Sequence, residues 1–193
     1  MKLLCYGDSN TYGYDPRGPI PGQYDADDRW CDLLADLTAW TVINGGENGR
    51  IVPEPAWNYT DLKRMMREHG PVDASCIMLG TNDILISSRR DITPIVSRMN
   101  ALLDFMESNW PDMRLILISP PPIDIPELPD IDQKLADLID AYRELAEDRD
   151  IPFIDNHSWN IPLAFDGAHF SKQGHHVFAE HLARELKAIF LDS

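Results

Sequence analysis

Basic residues are scarce in this chain: 17 lysines and arginines stand against 32 aspartates and glutamates, for a formal net charge of −15 at pH 7. Such a field repels phosphate backbones and anionic bilayers, so the expected partner is a small molecule, with no nucleic acid and no membrane. Cysteine is scarcer still. Cys5, Cys31 and Cys76 are an odd number at wide spacing, and two of them stand in or beside apolar runs, where a free thiol behaves as a small hydrophobe. That excludes a disulfide scaffold and leads us to expect a reduced, cytoplasmic protein. Long apolar runs are missing too. No stretch approaches a transmembrane span, and the apolar segment after Met1 has only strand length, too short for the core of a secretory leader. With no internal repeat, linker or low-complexity segment, residues 1–193 are expected to form one catalytic domain.

What the chain does contain is short apolar runs alternating with helical patterns. Leu3 to Tyr6, Thr41 to Ile43, Ala74 to Leu79, Arg114 to Ile118 and Pro152 to Ile154 have strand length and little polar alternation, the mark of strands buried on both faces. Between them, helical spacing recurs at Trp30 to Leu37, Ile92 to Met106, Ile131 to Leu145 and Val177 to Ile189, and more weakly at Leu62, Met65 and Met66. A βα unit repeated five times predicts an α/β fold, a three-layer α/β/α sandwich around a five-stranded parallel sheet, doubly wound in the flavodoxin-like manner. Tyr12 to Asp28 is expected as an ordered loop over one face, and the proline-rich Ser119 to Pro129 as a stiff loop.

In such a sheet ligands bind beyond the carboxyl ends of the strands. Polar and glycine-rich residues gather at those ends here: Gly-Asp-Ser-Asn at 7–10, Asn-Gly-Gly-Glu-Asn-Gly-Arg at 44–50, Gly-Thr-Asn-Asp at 80–83, Ser-Pro-Pro-Pro-Ile at 119–123 and Asp-Gly-Ala-His at 166–169. A hydroxyl nucleophile needs a base, an acid that orients the base, and donors aimed at a developing oxyanion. Ser9, His169, Asp166, the glycine backbones and the Asn82 side chain can fill those roles. Each part also has a plainer use, as a turn, a cap or a structural histidine; only their joint placement argues for chemistry. A metal-dependent hydrolase built on His169, His175 and His176 lacks any paired helical ligand motif. A non-catalytic ligand-binding domain would account for the loops but not for Ser9, His169 and Asp166 together. Tyr12, Trp57, Ile123 and Trp159 stand where substrate-binding residues could lie, as does Phe165, each with core packing as the alternative. Arg50 could meet a polar leaving group or a neighbouring carboxylate. Loop aromatics leave a homo-oligomeric contact open.

The four blocks Gly7–Asn10, Asn44–Gly49, Gly80–Asp83 and Asp166–Ser171 resemble, in order, those of the SGNH hydrolases, also called GDSL esterases, and span nearly the whole chain. The resemblance implies the SGNH hydrolase fold and a serine esterase needing no cofactor and no metal. It makes Ser9 the nucleophile, Asp166 and His169 its triad partners, and Ser9, Gly46 and Asn82 the oxyanion hole. Asn10 replaces the leucine of the family's name, a change expected to touch none of these roles. The string Tyr6–Gly13 and the Ser119–Ile123 loop look most like the arylesterase and acyltransferase branch, which implies small acyl groups, on aryl or alkyl esters or acetylated carbohydrates. Transfer of the same acyl group to an alcohol or peroxide is the alternative. Ile51 and Val52 depart from the threonines expected of that branch.

Overall fold

The computed structural model describes residues 1–18, 22–86, 91–128 and 130–191. In chain order the elements are β1 (Lys2–Gly7), α1 (Ser9–Tyr12), β2 (Tyr14–Asp15), β3 (Gly22–Gln23), α2 (Trp30–Thr38), β4 (Thr41–Gly46), α3 (Thr60–His69), β5 (Ala74–Met78), α4 (Thr81–Ile86), α5 (Thr93–Asn109), β6 (Arg114–Ile118), α6 (Ile131–Asp148), β7 (Phe153–Ile154) and α7 (Lys172–Leu191). Five strands form one parallel sheet in the order β4-β1-β5-β6-β7. This is the expected α/β architecture.

Strand alternation sorts the core into two layers. Leu3 and Cys5 of β1, Ala74, Cys76 and Met78 of β5, and Ile116 and Ile118 of β6 pack with Trp30 and Leu34 of α2 and Phe178, Leu182 and Leu186 of α7. Leu4, Tyr6, Ile77, Leu115 and Leu117 face the other way, onto Leu62 and Met65 of α3, Met99 to Met106 of α5 and Leu135 to Tyr142 of α6. Because both faces are covered, the strands carry few polar positions, Ser75 of β5 and Asn44 of β4 among them, and that is why they read as largely apolar runs. All three cysteines are free and buried.

Three features differ from expectation. β4 runs on through Gly45 and Gly46, which pair with Tyr6 and Gly7 of β1 instead of making a turn. The segment after Tyr12 carries a small antiparallel hairpin, β2 with β3, while residues 19–21 lie outside the described residues, as does Pro129 of the proline-rich loop. α4 begins at Thr81, so Asn82 and Asp83 stand in its first turn. Among the described residues no helix is long and apolar enough to cross a membrane.

From β1, second in the sheet, the chain adds first β4 on one side and then β5, β6 and β7 on the other. The chain reversal leaves a crevice at the carboxyl ends of β1 and β5. Ser9 and Asn82 follow those two ends directly.

Candidate active site

Gly7 ends β1, and the chain turns at once into the single helical turn α1. Asp8 caps it, its Oδ1 accepting the Asn10 N–H at 3.0 Å, and Gly13 closes it at φ 88°. The turn lifts Ser9 to the sheet edge with its side chain recessed, 8% of the residue remaining exposed. Ser9 Oγ lies 3.0 Å from His169 Nε2. On the other side of that ring, His169 Nδ1 is 2.7 Å from Asp166 Oδ2. Asp166 Oδ1 also accepts the N–H groups of Ala168 and His169, each at 3.1 Å. With Nδ1–H donated to the carboxylate, Nε2 is the acceptor for the Ser9 hydroxyl. Burial works to raise the Asp166 carboxyl, but hydrogen bonds from the His169 ring and from the N–H groups of His169 and Ala168 hold it below the ordinary carboxylate range. The structure thus brings together three residues, two of which lie about 160 positions from the first.

The oxyanion donors follow the expected scheme only in part. Asn82 gives one amide hydrogen to the Arg50 carbonyl at 3.0 Å; its second is uncommitted in that bond and can serve a ligand. Gly46 is a correction. Its N–H is donated to Asn44 Oδ1 at 2.9 Å, and a Cβ on it would fall 2.0 Å from the Tyr12 nitrogen, so this glycine serves the close packing of β4 on α1. Gly49 has φ 74° and open space above its Cα, and no described residue accepts its N–H.

Arg50 resolves between its two readings toward the carboxylates. Its guanidinium lies over the Tyr6 ring at 4.3 Å, bonds Glu47 and Asp61, and donates to the carbonyls of Gly7 and Gly45. It therefore ties the ends of β1 and β4 into one frame. Asp83, the buried neighbour of Asn82, accepts the Val52 N–H at 3.0 Å and pairs with Arg98 at 2.5 Å.

The expected substrate-binding residues divide. Trp57, 57% exposed, lines a cleft of about 430 Å³ with Gly49, Arg50, Ile51, Tyr59 and Ile86. Tyr12 is half-buried beside Gly46, its carbonyl accepting from Gln23. Trp159 is a correction: it is 7% exposed, stacked on His181 at 5.0 Å and packed on Phe178, inside the α7 layer. Ile123 is another, a core residue of the opposite layer whose edge meets a groove with Leu135, Ile139 and His157, and Ser9 and His169 do not line that groove. Phe165 is exposed next to Asp166. Sequence reasoning missed Tyr14, whose ring sits 4.6 Å from that of His169. Its place in a two-residue strand gives no periodic signal. Among the described residues no group of three or more His, Cys, Asp or Glu side chains is placed to hold a metal ion.

Comparison with known proteins agrees with the fold and gives the family. A family model for GDSL-like lipases and acylhydrolases matches residues 5–177. A GDSL esterase/lipase of Arabidopsis thaliana is 26% identical over 222 aligned positions, covering 96% of this chain and 86% of the plant protein. The native aryl esterase of M. smegmatis superposes with a TM-score of 0.83 at 27% identity, covering 97% of this chain and 98% of that one. A carbohydrate acetylesterase family member from Sinorhizobium meliloti gives 0.81 at 26% identity, with coverage of 97% and 98%.

Proposed function

The chain belongs to the GDSL-like lipase/acylhydrolase family, carboxylic ester hydrolases of the SGNH fold, and from that premise we propose that it is a serine esterase acting on small acyl groups through an acyl-enzyme on Ser9. The observation that carries this reading is the continuous chain from Ser9 Oγ through His169 to Asp166, at 3.0 and 2.7 Å. His169 Nε2 takes the hydroxyl proton as Oγ attacks the ester carbonyl, then returns it to the departing alcohol. Water gives a proton to the same nitrogen and attacks the acyl carbonyl; the bond to Ser9 Oγ breaks, the proton passes from Nε2 to Oγ, and the acid leaves. Asp166 stays ionised and holds the imidazole in the tautomer the attack requires.

The tetrahedral oxyanion is met by the Ser9 N–H at the start of α1, by the second Asn82 amide hydrogen and by the Gly49 N–H, in place of Gly46. The cleft of Gly49, Arg50 and Trp57 meets these donors at Gly49, while Ser9, Asn82 and His169 do not line it, and it suits the alcohol or acyl portion of a small ester. The small-acyl reading draws on the names of two structural neighbours above 25% identity, an aryl esterase and a carbohydrate acetylesterase family member. The test is hydrolysis of p-nitrophenyl acetate, butyrate and octanoate, and of an acetylated sugar, by wild type and Ser9→Ala. Expected is a preference for acetate that vanishes in Ser9→Ala. Turnover that survives the substitution would remove Ser9 from the mechanism, and a preference for octanoate would remove the small-acyl assignment.

A further inference from the structure

Asn10 was expected to touch none of the catalytic roles, yet it is 2% exposed and every polar group of the residue is engaged. Its backbone N–H goes to Asp8 Oδ1, and its carbonyl accepts the Trp30 indole N–H at 2.9 Å. Its side chain crosses to the far loop. Nδ2 donates to the Ala168 carbonyl at 3.0 Å, and Oδ1 accepts the Phe170 N–H at 2.8 Å. Those two groups belong to the residues on either side of His169.

We propose that Asn10 is a positioning residue for the reaction: by gripping the backbone on both flanks of His169, it sets the imidazole against its own neighbour, Ser9. The inference rests on the serine-esterase reading. Its physical content is the shortness of the path. The nucleophile and the clamp are consecutive residues of α1, and the base lies between the two residues that the clamp holds, so the Ser9–His169 separation is fixed through one residue on each side. The capped turn below, with the Trp30 bond, keeps Asn10 itself from shifting. Leucine at this position has the same number of side-chain heavy atoms and the same branch point but neither donor nor acceptor. It would leave the Ala168 C=O and Phe170 N–H without partners or let their loop drift. Displacement of a catalytic group by about 1 Å can cost on the order of 10²-fold in rate.

The test compares Asn10→Leu, Asn10→Asp and Asn156→Leu with wild type, on p-nitrophenyl acetate. Asn156 is the control, a fully buried asparagine joining the β6 and β7 ends through Ser119, its hydrogen bonds going to Ser119 and not to Ser9 or His169. Expected is a kcat lower by about 10- to 100-fold in Asn10→Leu with KM within about twofold, and labelling of Ser9 by a serine-reactive phosphonate slowed in proportion. Asn10→Asp keeps the acceptor for Phe170 and should fall between Asn10→Leu and wild type. Asn156→Leu should lower Tm yet keep kcat within about twofold. The proposal is overturned if folded Asn10→Leu turns over like wild type, or if Asn156→Leu loses as much kcat at equal loss of Tm. Should Asn10→Leu fail to fold, a wild-type kcat in Asn10→Asp overturns it instead. Activity in Ser9→Ala would sink the esterase reading; an inactive Ser9→Ala beside an undiminished Asn10→Leu would sink the clamp alone.

Discussion

At the scale of single residues, the chemistry divides between groups that a motif identifies and groups whose use depends on what surrounds them. The juxtaposition of Ser9, His169 and Asp166 was legible because three residue types that can serve one mechanism stood at the right strand ends. The glycines were not, since a short motif cannot say which N–H is already spent: Gly46 is paired in β4 and bonded to Asn44, whereas Gly49 stands in a turn. Two substitutions separate them. In Gly46→Ala the new methyl would sit 2.0 Å from the Tyr12 nitrogen, so α1 must move, and a large drop in Tm is expected. In Gly49→Ala the space is open and the cost is that of a left-handed alanine, about 1–2 kcal/mol; thermal melts of the pair should rank in that order, and the reverse order would return Gly46 to consideration. Asn82→Ala tests the side-chain donor. Loss of one oxyanion donor costs about 10²–10³ in kcat, so a folded but severely slowed enzyme is expected, and an undiminished kcat would strip Asn82 of its role.

At the scale of elements, the five parallel strands and their helices could be read from the chain because the fold buries each strand on both sides, which removes the polar positions that would otherwise blur a strand into a loop. What escaped was held by contacts distant in sequence. The β2–β3 hairpin has two residues per strand, too few for any period to register. Trp159 looked like a cleft aromatic because it follows β7, but its partners, Phe178 and His181, lie on α7. The Asp83–Arg98 pair shows how such long-range ties act. Asp83 stands in the first turn of α4, Arg98 belongs to α5, and the pair also grips the loop after β4 through the Val52 N–H and the Val52 carbonyl. Burial raises the Asp83 carboxyl, opposed by the hydrogen bonds from Val52 and Arg98. Arg98→Ala would strand a carboxylate whose side chain is 1% exposed. Removal of one partner from a buried pair costs about 3–5 kcal/mol, and urea unfolding should register a loss of that order. A loss under 1 kcal/mol would mean the carboxylate is solvated or protonated without its partner.

At the scale of the whole molecule, the response to pH is set by buried groups that oppose one another. His175, fully buried between Tyr24 and Phe170, has its imidazole pushed down to about 3 by desolvation. Between the ordinary value near 6.5 and that value, the unfolded chain holds a proton that the native state refuses. Stability from this group is therefore complete above about pH 6.5 and falls on acidification, by at most about 1.4 kcal/mol per pH unit. Asp8 behaves in the opposite sense. Burial raises its carboxyl to about 6 despite the Asn10 N–H and the nearby His169 and Arg50 charges. From about pH 4 to 6 the native state holds a proton that the unfolded chain has lost, so its contribution falls as pH rises and recovers on acidification. In the shared window the two slopes nearly cancel. The net charge of −15 adds self-repulsion that also relaxes in acid, but it is common to wild type and variant and drops out of their difference. His175→Leu should therefore gain on wild type by about 2 kcal/mol between pH 7 and pH 5, whatever constant cost the substitution carries. Asp8→Asn, which keeps a capping oxygen for α1, should lose ground by about 2 kcal/mol between pH 6 and pH 4. Urea titrations at half-unit pH steps give both difference curves. Curves that run flat would show that neither group titrates differently in the folded chain, and a falling His175→Leu curve would mean that the buried imidazole is charged.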